Sequence, residues 1–450
     1  MEFINTTRNA VKLQDIEKTI PFLGDNIPQM ISSDEINRSK SFQYMCLSKK
    51  FLIVSVDNSR IEQNLWNLQQ KVSMEIPPPI EVSMEGQFLN NSGYGKANRN
   101  LTYALATAGI KIGVIIDNSD DDLMPQGEIE SISRFIRHEM ADIHISSYVP
   151  SFAKRDPSCK YAILNTTVEA ASVPIDFVTT CDEFDEVWVV SDFCKNVLTE
   201  YGVSKPITVI PNAINTSLYN TNVKPHYFDP PLKSFVFVCV ASWNFRKGQD
   251  VLLKAYVNEF SSSDDITLLF VNTYGENGKN DKTTQDIKKA ILNKPDFPHI
   301  ARSGRSIPEY DMPRIYRGCG AFVLPSRGEG FCTPYLEAGS CRLPVISTRH
   351  GGQLMFLNDE NSYLVDIDGL KECEMGKTDI HYWDGHLFAS IESNEFIHRL
   401  QKTMRHVFEN REEARAKAVK LAETAKNYSL QSVGLIASER LRNIWKNFSS

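Results

Sequence analysis

The sequence predicts an α/β protein: two doubly wound, Rossmann-like domains following an N-terminal extension. From about residue 79, short apolar runs alternate with helical stretches, the rhythm of strand-helix-strand units and a parallel sheet. Runs such as Val187-Trp188-Val189-Val190 and Phe235-Val236-Phe237-Val238-Cys239-Val240 do not alternate polar with apolar, as expected for strands covered by helices on both faces. A Pro-rich segment from 222 to 233, with Pro225, Pro230 and Pro231, then interrupts the rhythm before it starts again. At 450 residues, with roughly 100 to 200 residues per domain, two domains are the natural division.

Taken in order, residues 1–78 form the extension, with a strand-like run at 51–56, a helix over 59–72 and a stop at Pro77-Pro78-Pro79. The first domain, 79–222, takes strands at 80–84, 110–116, 143–146, 161–164, 186–190 and 207–210. Residues 223–233 are the linker. The second domain, 234–427, takes strands at 235–240, 266–271, 321–324 and 345–347, and helices over 250–259, 284–292, 334–341, 393–408 and 411–426. A last helix runs over 430–447 within a C-terminal segment, 428–450.

Hydrophobic residues make up 42% and charged residues 23% of the chain, the composition of an ordinary globular protein. A net charge of −7 supplies no global attraction for nucleic acid or an anionic membrane, so neither partner is indicated. Phosphate binding must then come from a few placed groups. The nine cysteines are scattered and never form a C-x-x-C pair, which predicts free thiols in a reducing compartment rather than a disulfide framework or a zinc site. The opening residues lack the pattern of a signal peptide and no apolar run approaches the length of a membrane span, so the expectation is cytoplasmic.

Three constellations carry chemistry. The turn Asn90-Asn91-Ser92-Gly93-Tyr94-Gly95-Lys96 links a strand to a helix, where glycines permit close approach of a ligand and backbone N–H groups can face an anion. It lacks the dinucleotide fingerprint, which excludes a nicotinamide reading. The loop Ser242-Trp243-Asn244-Phe245-Arg246-Lys247-Gly248 follows the first strand of the second domain, at the strand end where open α/β sheets bind ligands. Arg246 and Lys247 could meet a diphosphate there. The stretch from Leu324 to Gly352 holds a buried strand, the loop Ser326-Arg327-Gly328-Glu329-Gly330-Phe331, then a helix with Thr333 as N-cap, Pro334 in the first turn and Glu337 one turn inside. A helix start attracts phosphate, and carboxylates accept hydrogen bonds from sugar or ribose hydroxyls, so this stretch reads as a nucleotide-sugar site.

These residues resemble retaining glycosyltransferases of family 4, which have the GT-B fold of two Rossmann-like domains facing each other across a cleft. The resemblance rests on Pro325-Ser326, Glu329-Gly330-Phe331, the seven residues between Glu329 and Glu337, and Leu343-Pro344-Val345-Ile346. Further matches are Ser92-Gly93-Tyr94-Gly95, Val189-Val190-Ser191-Asp192-Phe193, Val209-Ile210-Pro211-Asn212-Ala213 and Arg246-Lys247-Gly248, covering about residues 80 to 445. It implies that Glu329 holds donor-sugar hydroxyls and Glu337 the ribose, while Arg246 and Lys247 neutralise the diphosphate. Gly330, Phe331, Cys332 and Thr333 would complete that cradle through their backbone. Gly93, Tyr94 and Gly95 would border donor phosphate and acceptor, with Ser92 and Glu169 on the acceptor side and Arg305 in a base-selecting stretch, 303–307. His144 is the candidate for a first-domain histidine that members often use, with a packed core histidine as the alternative. Ser242 stands where many members carry an arginine, and Arg246 is the candidate for its place. The last helix, containing Trp445, would cross back to the first domain.

The function so implied is metal-independent, cofactor-free transfer of a hexose, of mannose or glucose type, from a GDP- or UDP-sugar to a hydroxyl of a glycan or other acceptor, with retention. A non-catalytic nucleotide-sugar-binding subunit and a GT-B epimerase or phosphorylase stay open as alternatives. Donor identity, acceptor and oligomeric state are not legible.

Overall fold

The computed structural model describes residues 80–117, 126–271, 282–292, 294–303, 307–374 and 381–449, together with five strands among the first 79 residues. The chain falls into two units, Met1–Pro79 and Ile80–Ser450. In the first unit, β1 (Glu2–Asn5) pairs antiparallel with β4 (Gln29–Met30) and β5 (Phe51–Ser55), and β2 (Val11–Leu13) pairs antiparallel with β3 (Lys18–Ile20). The strand expected at 51–56 is β5; the helix expected over 59–72 lies outside the described residues.

The second unit holds two parallel sheets. β6 (Glu81–Gly86), β7 (Lys111–Ile116), β8 (Ile143–Ser147), β9 (Tyr161–Thr166), β10 (Glu186–Val189) and β11 (Ile207–Val209) lie in the order β11-β10-β9-β8-β6-β7. β12 (Phe235–Val240), β13 (Ile266–Val271), β14 (His299–Arg302), β15 (Ala321–Leu324), β16 (Val345–Thr348) and β17 (Tyr363–Val365) lie in the order β14-β13-β12-β15-β16-β17. A short antiparallel pair, β18 (Leu370–Glu372) and β19 (Leu387–Ala389), follows. In each sheet the chain winds first to one side and then to the other, and the reversal creates a crevice outside the carboxyl ends of the strands. That crevice falls between β6 and β8 in the first sheet and between β12 and β15 in the second.

The first sheet carries α1 (Gly93–Thr107), α2 (Gln126–Ser133), α3 (Ile175–Glu183) and α4 (Asp192–Glu200). The second carries α5 (Gln249–Glu259), α6 (Lys282–Ile291), α7 (Met312–Arg317), α8 (Thr333–Ser340), α9 (Asn394–Glu409) and α10 (Arg411–Ala425), and α11 (Leu430–Ser449) follows. Every residue of β12 and β13 is buried, which explains their unbroken apolar sequence. β9 and β10 are buried on both faces too. Leu164, Val187 and Val189 join a core continuous with the second sheet, while Ile163 and Trp188 join a core under α1. Among the described residues, no helix is long and apolar enough to cross a membrane.

The last helix returns to the first sheet. Val433, Ala437, Leu441 and Ile444 share a core with Leu101, Ala104 and Leu105 of α1. A Cβ on Gly434 would stand 2.2 Å from the Ala104 carbonyl oxygen, so only glycine permits this approach of the two helices. Arg440 adds two bonds to the fully buried carboxylate of Glu186, from Nε at 2.8 Å and Nη2 at 2.6 Å, and Trp188 Nε1 and the Tyr161 hydroxyl donate to the same group. Where the chain leaves the first sheet and where it comes back, the two passages pair. Ile214 N donates to Tyr428 O at 2.8 Å, and Leu430 N to Ile214 O at 3.2 Å.

Gly434→Val forces α11 away from α1 and should destabilise the protein by about 1–3 kcal/mol, as overpacking does. Urea denaturation checks this, and an unchanged midpoint would count against the close crossing.

Candidate active site

The two strand-end crevices open into one cavity of about 1100 Å³. Its second-sheet wall begins at the loop after β12. Asn244 accepts a bond from Lys247 N at 3.1 Å, and this cap folds residues Phe245–Lys247 into one 3-10 turn that presents two cations together. The loop after β15 lies against it: Arg246 Nη1 donates to Gly328 O at 2.6 Å, and Arg327 N donates to Arg246 O at 2.7 Å. Arg327 itself is buried, bonded through both terminal nitrogens to Asp250 at 2.9 and 2.8 Å and to Glu392 at 2.9 Å. Its guanidinium lies 3.9 Å from the Phe245 ring centroid and also donates to Phe245 O.

This arrangement sets Glu329 between the cations, with Arg246 Nη1 at 3.0 Å from one oxygen and Lys247 Nζ at 2.7 Å from the other. Burial alone would raise the Glu329 carboxyl, but Lys247 and Arg246 outweigh it and hold the group below its ordinary value. Burial likewise works against the Arg246 charge, and Glu329 and Glu169 more than restore it. Glu169, in the loop after β9, lines the same cavity, and its carboxyl is raised, first by burial and also by Glu329, against the opposing pull of Arg246.

The loop at 328–330 touches the other half of the unit. A Cβ on Gly330 would stand 1.9 Å from Thr167 Oγ1, so glycine is required for that contact, and Ser191 Oγ donates to Gly330 O at 2.6 Å. The helix start differs from expectation: the N-cap of α8 is Cys332, not Thr333. Cys332 is left-handed, with φ 66° and ψ 74°, and makes no side-chain capping bond; Thr333 and Pro334 lie inside the first turn. The sharp return of the chain after Gly330 places Cys332 there, at a backbone cost of the order of 1–3 kcal/mol. Pro334 carries no N–H and Tyr335 N donates to Cys332 O at 3.2 Å, so within the first turn it is the Thr333 N–H that is offered to an outside acceptor.

Glu337 lies farther along α8 and is buried. The Tyr316 hydroxyl donates to one of its oxygens at 3.2 Å, and Lys96 Nζ stands 2.5 Å from the other. Lys96 belongs to α1, on the first sheet, and its ammonium also meets Glu309 at 3.2 Å and the Tyr219 hydroxyl at 2.8 Å. Neither Lys96 nor Glu309 was singled out from sequence. Lys96 had one available signal, a cation directly after the Gly93-Tyr94-Gly95 turn; Glu309 had none.

The cavity brings together Glu329, Arg246, Lys247, Glu337, Gly330, Phe331, Cys332 and Thr333 with Ser92, Gly93, Tyr94 and Glu169. The Phe331 ring packs away against Phe356 and Tyr428, leaving its backbone for the cavity. Gly95 is buried behind the turn, where a Cβ would stand 2.4 Å from Asn90 Oδ1. His144 is fully buried in β8, with Nδ1 2.9 Å from Ser83 Oγ and Nε2 3.7 Å from a carboxylate oxygen of Glu85; Glu85 lines the cavity and His144 itself does not. The strand lies between β6 and β9, so His144 stands behind the cavity wall and reaches it through Glu85. Arg305 lies outside the described residues, although Ile307 from the same stretch lines the cavity.

Two parallel sheets whose crevices share one cavity make a GT-B fold, and solved structures share it. Sucrose-phosphate synthase from Thermosynechococcus elongatus, at 14% identity, superposes with a TM-score of 0.59, covering 82% of this chain and 100% of that one. HepE from Anabaena, solved in complex with UDP-glucose, does so at 14% identity with a TM-score of 0.56, covering 81% and 100%. Within this fold, residues 234–373 match the family model described as Glycosyl transferases group 1. Among curated proteins, an uncharacterized glycosyltransferase of Methanocaldococcus jannaschii is 31% identical over 169 residues, 37% of this chain and 41% of that protein. The D-inositol 3-phosphate glycosyltransferase of Corynebacterium kroppenstedtii is 27% identical over 139 residues, 31% of this chain and 30% of that protein. The chain thus spans less than half the length of these curated relatives.

Glu329→Gln should destabilise the protein by about 1–3 kcal/mol at neutral pH, the worth of bonds to charged groups. The folded-state shift is downward, so this stability is present above the ordinary value of 4.5 and is lost as pH falls through the lowered one. Urea denaturation of variant and wild type should show the gap closing in acid; a gap that stays constant would contradict the ion-pair assignment.

Proposed function

We propose that the chain is a retaining glycosyltransferase of family 4 that moves a hexose, of mannose or glucose type, from a GDP- or UDP-sugar to a hydroxyl of a glycan or other acceptor. The carrying observation is the juxtaposition, in one cavity, of the Arg246–Lys247 pair, the uncapped start of α8 and the two carboxylates Glu329 and Glu337. The family assignment of residues 234–373 and the solved complex of HepE with UDP-glucose support the reading.

In this reading residues 79–222 are the acceptor half, 223–233 the linker, 234–427 the donor half and 428–450 the returning helix. Glu337 accepts ribose hydroxyls and Glu329 donor-sugar hydroxyls. As the sugar departs, positive charge grows on its ring and negative charge on the diphosphate. Arg246, Lys247 and the start of α8, with its Thr333 N–H, are fixed beforehand where that negative charge develops, the arrangement that contributes most to rate in a water-poor site. They do so without calling on a metal or a cofactor. The acceptor enters past Ser92 and the Gly93-Tyr94-Gly95 turn. Glu169, which keeps its proton to higher pH than a surface carboxylate, meets the acceptor hydroxyl, and the leaving diphosphate takes the acceptor proton on the same face, giving retention. All eight cysteines among the described residues are free thiols, in keeping with a cytoplasmic setting.

The test is a thermal-shift screen against UDP-, GDP- and ADP-sugars, followed by transfer assays with the donor that stabilises. One nucleotide series should raise the melting temperature selectively, and Arg246→Ala or Glu329→Ala should lower transfer by about a hundredfold or more. Near-normal transfer by either variant would exclude its assigned role; binding of donor without turnover on any acceptor would point to a non-catalytic subunit instead.

A further inference from the structure

Glu337 and Glu309 stand on different elements, α8 and the turn before α7, and both reach the ammonium of Lys96, which comes from the other sheet's helix α1. The Glu337 side chain is only 3% exposed, and that of Lys96 21%. One ammonium therefore serves two carboxylates across the cleft. Burial works against the charge on Lys96, but Glu309 and Glu337 overcome it, so the group stays cationic. Glu309 is held below its ordinary value, with Lys96 and Arg99 outweighing its burial. Without Lys96, the Glu337 and Glu309 carboxylates would lose the cation they share, and the Glu337 oxygen it meets would lose the group that fixes it.

Each carboxylate oxygen has two acceptor positions. Tyr316 uses one on the first Glu337 oxygen and Lys96 approaches the second oxygen, leaving positions for a vicinal diol with the ion pair intact. We propose that Lys96 is a positioning residue for ribose: it holds the Glu337 carboxylate from the opposite half of the cleft, so that nucleoside diphosphates with an intact ribose diol are bound in preference to deoxy forms. This rests on the nucleotide-sugar reading above. The ribose subsite is then shared between the two halves and is complete only where α1 meets α8.

The experiment is calorimetric titration of the full chain with UDP and GDP and with their 2′,3′-dideoxy forms. Wild type should prefer the ribo form of its nucleotide by about tenfold to a hundredfold, the worth of bonds to a charged group. Lys96→Met and Lys96→Gln should both reduce that preference to less than about threefold, Glu337→Gln should do the same, and Lys96→Arg should keep most of it. Arg246→Ala should weaken ribo and dideoxy forms alike, leaving the ratio unchanged. A full ratio in the folded Lys96 variants, alongside its loss in Glu337→Gln, would overturn the role of Lys96, as would equal weakening of both forms. A wild type that binds without preferring ribose overturns the inference at Glu337. A wild type that binds neither nucleotide removes the nucleotide-sugar reading itself, and the inference with it.

Discussion

The buried guanidinium of Arg327 is the constraint on which the donor side depends. It joins three separate parts of the chain: the turn after β12 through Phe245, the first turn of α5 through Asp250, and the segment before α9 through Glu392. Its own backbone N–H holds the Arg246 carbonyl. The relative placement of the two loops is thus fixed by charge-assisted bonds with defined directions, rather than by apolar contact, which is directionless. Glu329 meets Arg246 and Lys247 because Arg327 has already brought their loops together.

The same economy appears at the level of the sheets. Each opens onto the cavity at the place where its strand order reverses, and each contributes what its local sequence can supply. The second sheet brings two cations on one short capped turn and carboxylates from the following loop and from α8. The first brings a glycine turn and polar groups from strand ends, among them Asn165 and Ser147, with Asn98 of α1 beside them. Close passage of the two halves is permitted by an absent side chain at Gly330 and secured by the Ser191 bond to its carbonyl.

What the sequence disclosed follows the range of the interactions involved. Glu329 and Glu337 were legible because strand, loop and helix are consecutive, so local pattern alone places them. Buried central strands were legible for a similar reason: Phe235–Val240 and Ile266–Val271 are covered on both faces and read as unbroken apolar runs. The edge strands His299–Arg302 and Tyr363–Val365 were not, since partly exposed edges tolerate residues that blur the signal. The N-cap at Cys332 escaped because a left-handed backbone at that residue is imposed by the loop it ends. Lys96 and Glu337 are separated by most of two domains, and only the folded chain puts them together.

The paired passages at Ile214 and Ser429 bear on how the two sheets are held together. Two polypeptide crossings join the halves, and a single crossing would leave one half free to swivel. Because these two crossings are hydrogen-bonded to each other, they form one junction, and further bonds join the halves away from it, from Ala171 N to Leu387 O at 2.7 Å and from Ser191 Oγ to Gly330 O at 2.6 Å. The helix that leaves this pairing, α11, packs on α1, the helix that carries Lys96, so the junction of the two passages and the bridge from Lys96 to Glu337 and Glu309 belong to one continuous run of contacts.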